Sequence, residues 1–192
     1  MSFVRRGVFV KTVIAALLGI VMLPLAVLGQ VTHAPNTGPV PHVVSLEDGA
    51  SRVLPDGREI LLKVGPRSTG AGYLFLGRDD IPPGAGIPRH RHEIDEEILI
   101  VHRGEVVVEL DDVPHRAQAG SVIYLPPGTW IALRNEASEI ATIMFVFPRG
   151  SVERCFEFIG RAPNEEAREL TEEEREEEMY SCQMTYAPGT DR

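Results

Sequence analysis

From Ala71 to Phe147 the chain is a succession of short apolar segments, each ended by a glycine, proline or aspartate turn. Residues 73–77, 88–92, 96–102, 105–110, 122–125, 130–135 and 140–147 read as strands, with a Pro/Gly loop over 79–86. Segments this short are ill suited to helices and suit the strands of a sandwich or closed barrel. Val106, Val107 and Val108 are β-branched, as are Ile140, Thr142 and Ile143, which packs well on a pleated surface. The 18 glycines and 15 prolines are rich for a helical protein and ordinary for strands joined by turns. The expected class is all-β.

Either side of this block the pattern changes. Two shorter strands are expected over 42–46 and, after the Pro55-Asp56-Gly57 turn, over 58–64. Past Pro148, residues 152–159 are apolar and short and read as a C-terminal strand. The glutamate-rich stretch 165–179 then reads as a surface helix. Thr171 followed by Glu174 is a capping-box signature, so that helix is expected to begin there. A block of like charge more often solvates a face than binds a partner, and no EF-hand spacing is present.

The N-terminal 29 residues have the layout of an export signal. Arg5, Arg6 and Lys11 precede an uncharged run from Thr12 to Gly29, broken by Pro24. That run is long for a signal peptide and short for a span, so an uncleaved membrane anchor is the rival reading. Both take the bulk of the chain out of the cytoplasm, and 30–41 reads as a Pro/Gly linker. A net charge of -9 makes nucleic acid a poor partner. Cys155 and Cys182 could be two free thiols. In an oxidising compartment they could instead close a loop of ~28 residues, a bridge contributing about 3 kcal/mol.

His90 and His92 are two apart, so on a strand they share a face. Glu93-Ile94-Asp95 then allows a turn, and Glu97 opens the next strand with Leu99 and Val101 on its own side. Two imidazoles and one carboxylate converging in an apolar barrel would make a transition-metal site with open positions.

These residues carry a resemblance. Gly84, five residues, His90-Arg91-His92, four residues, Glu97, six residues and Gly104 resemble the first cupin motif. Gly120, five residues, Pro126-Pro127-Gly128 and then Asn135 resemble the second, except that Ile131 stands where the family has a histidine. The resemblance covers roughly 72–147 and implies a single jelly-roll barrel of six or eight strands. It also implies a divalent ion (Fe, Mn, Ni, Cu or Zn) on three histidines and one glutamate. Carried over, this assigns His90, His92 and Glu97 as metal ligands and leaves the fourth position empty at Ile131. His102 has the wrong parity to replace it, and His115 lies in a Pro114-led turn segment. The tail is loosely similar to that of bacterial quercetin dioxygenase-like cupins, which places a strand over 149–158 and a short helix from Leu170.

The reading is therefore an exported cupin with an incomplete metal site acting on a small molecule, with dioxygenase-like chemistry. The alternative is a barrel that binds a small apolar ligand without metal. Family members often pair through sheet edges, which adds a homodimer to the expectations. The catalytic residues and the substrate are not legible.

Overall fold

The computed structural model describes residues 41–166 and 169–189. The expected leader and nearly all of the linker lie outside these residues. Among the described residues no helix is long and apolar enough to cross a membrane.

Ten strands come first: β1 (Ala50–Val53), β2 (Glu59–Val64), β3 (Phe75–Ile81), β4 (Gly86–His92), β5 (Glu97–Arg103), β6 (Glu105–Leu110), β7 (Val113–Gln118), β8 (Val122–Leu125), β9 (Ile131–Arg134) and β10 (Ala141–Phe147). Helices α1 (Val152–Ile159) and α2 (Glu172–Cys182) follow, then a last strand, β11 (Met184–Tyr186). Two antiparallel sheets result, one ordered β1-β2-β3-β10-β5-β8 and the other β11-β4-β9-β6-β7. This is the expected jelly roll, with eleven strands rather than six or eight because β1 and β2 extend one sheet and β11 the other. Inward residues alternate along each strand: Leu99 and Val101 from β5, Val106 and Val108 from β6, Ile131 and Leu133 from β9, Ile143, Phe145 and Phe147 from β10. Each such side chain contributes roughly 1.5–3 kcal/mol through burial.

The motif residues outside the site hold turns together. Asn135, buried, donates from Nδ2 to the carbonyls of Ile81 (2.8 Å) and Glu139 (2.7 Å), while the Ala137 amide donates to its Oδ1 (3.0 Å). Its backbone exchanges bonds with Gly84 and Ala85 in the β3–β4 loop. Gly128 has a φ of 81°, which favours glycine, and its amide donates to the His92 carbonyl at 2.7 Å. The second motif thus supports the strand that carries the first.

Four local expectations are corrected. Residues 42–46 form no strand; the carbonyls of Ser45 (2.6 Å), Leu46 (3.0 Å) and Asp48 turn onto the buried Lys63 ammonium instead of a neighbouring strand. The 79–86 loop is shorter than expected, because β3 continues to Ile81. The segment with His115 is strand β7, paired with β6 across Asp111 and Asp112, both at positive φ (45° and 71°) as a tight hairpin turn of matching twist requires. Residues 152–159 form α1, not a strand. Val152, Cys155, Phe156 and Ile159 recur at helical spacing, and Phe156 packs on Phe145 (5.0 Å) and Phe75 (5.4 Å). The second helix begins as expected: the Glu174 amide donates to Thr171 Oγ1 (3.3 Å) and the Thr171 amide to Glu174 Oε2 (2.9 Å).

The two cysteines are bridged, with Cα atoms 4.7 Å apart, tying α1 to the end of α2.

One buried pair gives a pH signature. Asp79 pairs with Arg58, but its Oδ1 has no hydrogen-bond partner among the described residues. Burial outweighs the guanidinium and pushes the carboxyl up to about 6. The group then holds its proton more tightly folded than unfolded, so its contribution to stability grows as pH falls from about 6 towards 4 and is lost as pH rises through 6. Across that window wild type is expected to gain up to ~3 kcal/mol relative to Asp79→Asn in thermal or urea unfolding. A constant difference between the two proteins would contradict it.

Candidate metal centre

His90 and His92 project inward from β4, and Glu97 projects inward at the start of β5. These two strands belong to opposite sheets, so the centre spans the barrel rather than lying on adjacent strands as the turn-like spacing suggests. The four residues joining His92 to Glu97 carry the chain from one sheet to the other. One ligand atom from each residue lies within 4.8 Å of the others. All three side chains are buried, at 8%, 9% and 6% exposure.

The hydrogen bonding suits an ion. His90 Nδ1–H donates to the Pro88 carbonyl at 2.7 Å, which leaves Nε2 as the lone-pair nitrogen. Burial pushes the His90 imidazolium down from its ordinary value; nearby His92 acts the same way, and the Pro88 carbonyl and Glu97 oppose it. The neutral ring is the form a metal binds. His92 Nε2 stands 3.4 Å from Glu97 Oε2. That is longer than an ordinary hydrogen bond of about 2.9 Å and equals the edge of a tetrahedron with bonds of about 2.1 Å. Among the described residues His92 is the only ion-pair contact of Glu97, and neither lysine nor arginine is paired with this buried carboxylate. Among the described residues His92 Nδ1 has no hydrogen-bond partner, so none of them orients this ring as Pro88 orients His90. Its edge packs against Phe147 at 4.8 Å.

The fourth position is occupied by core. Ile131 lies directly across from His90 on β9, with 1% exposure. His102 and His115 are exposed and do not join the centre. Arg89 and Arg91 point outward and hold Trp130 between them, each 4.8 Å from the ring.

Two parts of the centre are not legible in the sequence. Asp95, buried between the ligands His92 and Glu97, accepts a two-pronged bond from Arg149, Nε to Oδ1 at 2.7 Å and Nη2 to Oδ2 at 2.6 Å. Arg149 also donates to the Ser181 carbonyl and to Ser151 Oγ, so one guanidinium joins the crossover to both helices. The other part is β11. It pairs with β4 so that Met184 faces His92 and Tyr186 faces His90, placing both side chains on the histidines' side. The Tyr186 ring lies 6.0 Å from that of His90. No local pattern assigns a three-residue strand to a partner ninety residues upstream.

Residues 77–147 match the family described as "Cupin domain". The chain carries a cupin domain. It is 32% identical over 89 residues to Protein SchB of Streptomyces halstedii, covering 46% of this chain and 64% of SchB. The chain thus spans under two thirds of that relative's length. Among solved structures the cupin superposes on KdgF from a Halomonas species with a TM-score of 0.50 at 18% identity, covering 57% of this chain and 96% of that one. It is also similar to a predicted oxalate decarboxylase of Thermotoga maritima, with a TM-score of 0.48 at 20% identity over 56% of this chain and 99% of that one. At 18% identity the likeness to KdgF speaks for the fold alone.

Proposed function

We propose that this cupin holds a divalent transition metal on His90, His92 and Glu97 and uses it on a small oxygen-bearing molecule, in dioxygenase-like chemistry. The observation that carries this is the buried Glu97 carboxylate, which converges with two imidazoles and, among the described residues, pairs with no lysine or arginine. Two histidines and one carboxylate are the facial set of non-haem iron sites, where three protein ligands leave positions for substrate. When bound, the ion would polarise a ligand oxygen or activate O₂. The chain's own part is to fix the His90 tautomer through the Pro88 carbonyl so that Nε2 carries the lone pair, to hold both rings and the carboxylate out of water, and to offer Glu97 as a proton acceptor. The Cys155–Cys182 bond supports an exported location, because such bonds persist in oxidising compartments.

Metal analysis of untagged protein, purified without chelator and then reconstituted, tests the reading. No bound Fe, Mn, Ni, Cu or Zn after reconstitution would refute it and leave the apolar-ligand alternative. Ile131→His is a second measurement. Ile131 already faces His90, so the new imidazole is expected to tighten metal binding by roughly tenfold or more, ~1.4 kcal/mol, in competition with a chromogenic chelator. Unchanged affinity would place position 131 away from the ion.

A further inference from the structure

The centre is closed, and a short edge strand lies at its side. Strand β11 is an edge strand of three residues, paired among the described residues only to β4. Its Met184 and Tyr186 also line a groove of about 1000 Å³, together with Pro88, Leu54 and Phe158. These two side chains therefore face the groove on a strand whose neighbour carries the buried histidines.

β11 is held on β4 by its own ladder, by the Ala187 amide donating to the Arg89 carbonyl (2.9 Å) and by Thr185 Oγ1 donating to Glu93, and at its start by α2, immediately before it. That helix has glutamate at 172, 173, 174, 176, 177 and 178, so like charges repel along it at three- and four-residue spacing. It has no apolar stripe to bury. Besides its Thr171 cap, it is tied by Arg154–Glu177 at 2.6 Å, by the Arg149 bond to the Ser181 carbonyl, and by the disulfide at Cys182. Only the last is covalent, and it sits two residues before Met184. Gln183 between them accepts from the Glu93 amide, on the crossover that leads to Glu97.

We propose that β11 is a disulfide-held gate over the His90/His92/Glu97 centre, with Met184 and Tyr186 as the leaf between the groove and the histidines. A dithiol passes two electrons and two protons to the Cys155–Cys182 bond, gives two thiols and closes to its own disulfide. Freed of that tie, α2 and β11 leave β4 in a local opening that does not unfold the barrel. The gate rests on geometry alone; only its metal arm rests on the proposed function.

The test compares the full oxidised chain with Cys155→Ser/Cys182→Ser and, separately, with Met184→Ala/Tyr186→Ala, which leaves the disulfide in place. In metal-free protein, modification of His90 and His92 by diethyl pyrocarbonate, read by peptide mass, is expected to quicken by about tenfold or more in both variants. Exposed His115 serves as the unchanged control. In cobalt-loaded protein, EDTA is expected to strip the ion faster by a similar factor. Faster modification without any bound cobalt would keep the gate and remove the metal reading. Equal modification rates in all three proteins, with native far-UV circular dichroism, would overturn the gate. So would unfolding of the cysteine variant with no change in the Met184/Tyr186 variant.

Discussion

His92→Ala is expected to leave the protein without bound transition metal. Zinc-type sites with four ligands bind with roughly 10–16 kcal/mol, about 3 kcal/mol per ligand, so each ligand lost weakens binding by roughly 100-fold. A centre that begins with three has no such margin. Glu97→Gln separates the metal reading from a structural one. It preserves shape but removes the buried charge, whose only ion-pair contact among the described residues is His92. If Glu97 exists for an ion, the metal-free glutamine variant is at least as stable as wild type, because an uncompensated buried charge has gone. Adding metal should then raise the wild-type melting temperature alone, the linkage reaching about 2.7 kcal/mol at a hundred times Kd. A metal-free Glu97→Gln protein that melts well below wild type would show the carboxylate to be a structural partner of His92.

Arg149→Ala is expected to lose about 3 kcal/mol of stability and to loosen the metal centre as well. The cost arises because Asp95 stays behind, buried and stripped of its two-pronged partner; breaking a buried pair from one side is far more damaging than never having made it. Asp95 lies on the crossover between His92 and Glu97, so slack there displaces the Glu97 carboxylate. At this chain length the loss corresponds to a fall in Tm of about 6–12 °C. Arg149→Lys keeps the charge but cannot span both carboxylate oxygens, and is expected to fall between the two. Urea unfolding with and without metal measures both effects. A variant within about 0.5 kcal/mol of wild type would mean that water replaces the guanidinium and the crossover is held elsewhere.

Much of the barrel was legible because its signals are local. Alternation along 97–101 and 141–147 is a period-two pattern that states which side chains point inward. Glycines and prolines marked the turns, and Thr171 with Glu174 marked a helix start that both hydrogen bonds bear out. Misreadings fell where local signals are ambiguous. Residues 152–159 are apolar and only eight long, a length at which strand and helix cannot be told apart without noticing the spacing of Val152, Cys155, Phe156 and Ile159. The stretch 42–46 looked extended, but a distant lysine took its carbonyls.

At the centre the division is sharper. Sequence spacing was enough to place His90 and His92 on one face and to nominate Glu97, because each follows from counting along a strand, and the cupin resemblance put Ile131 in the fourth position. Only the tertiary structure decided that Glu97 reaches the histidines from the opposite sheet, that Ile131 stands directly across from His90, and that Arg149, Met184 and Tyr186 belong to the surroundings of the centre. It also decided that Cys155 and Cys182 are bridged. The physical reason is common to all of these. Periodicity records which way a side chain points within its own strand, whereas strand pairing, sheet facing and disulfide closure join residues tens of positions apart and leave no mark on the pattern at either end.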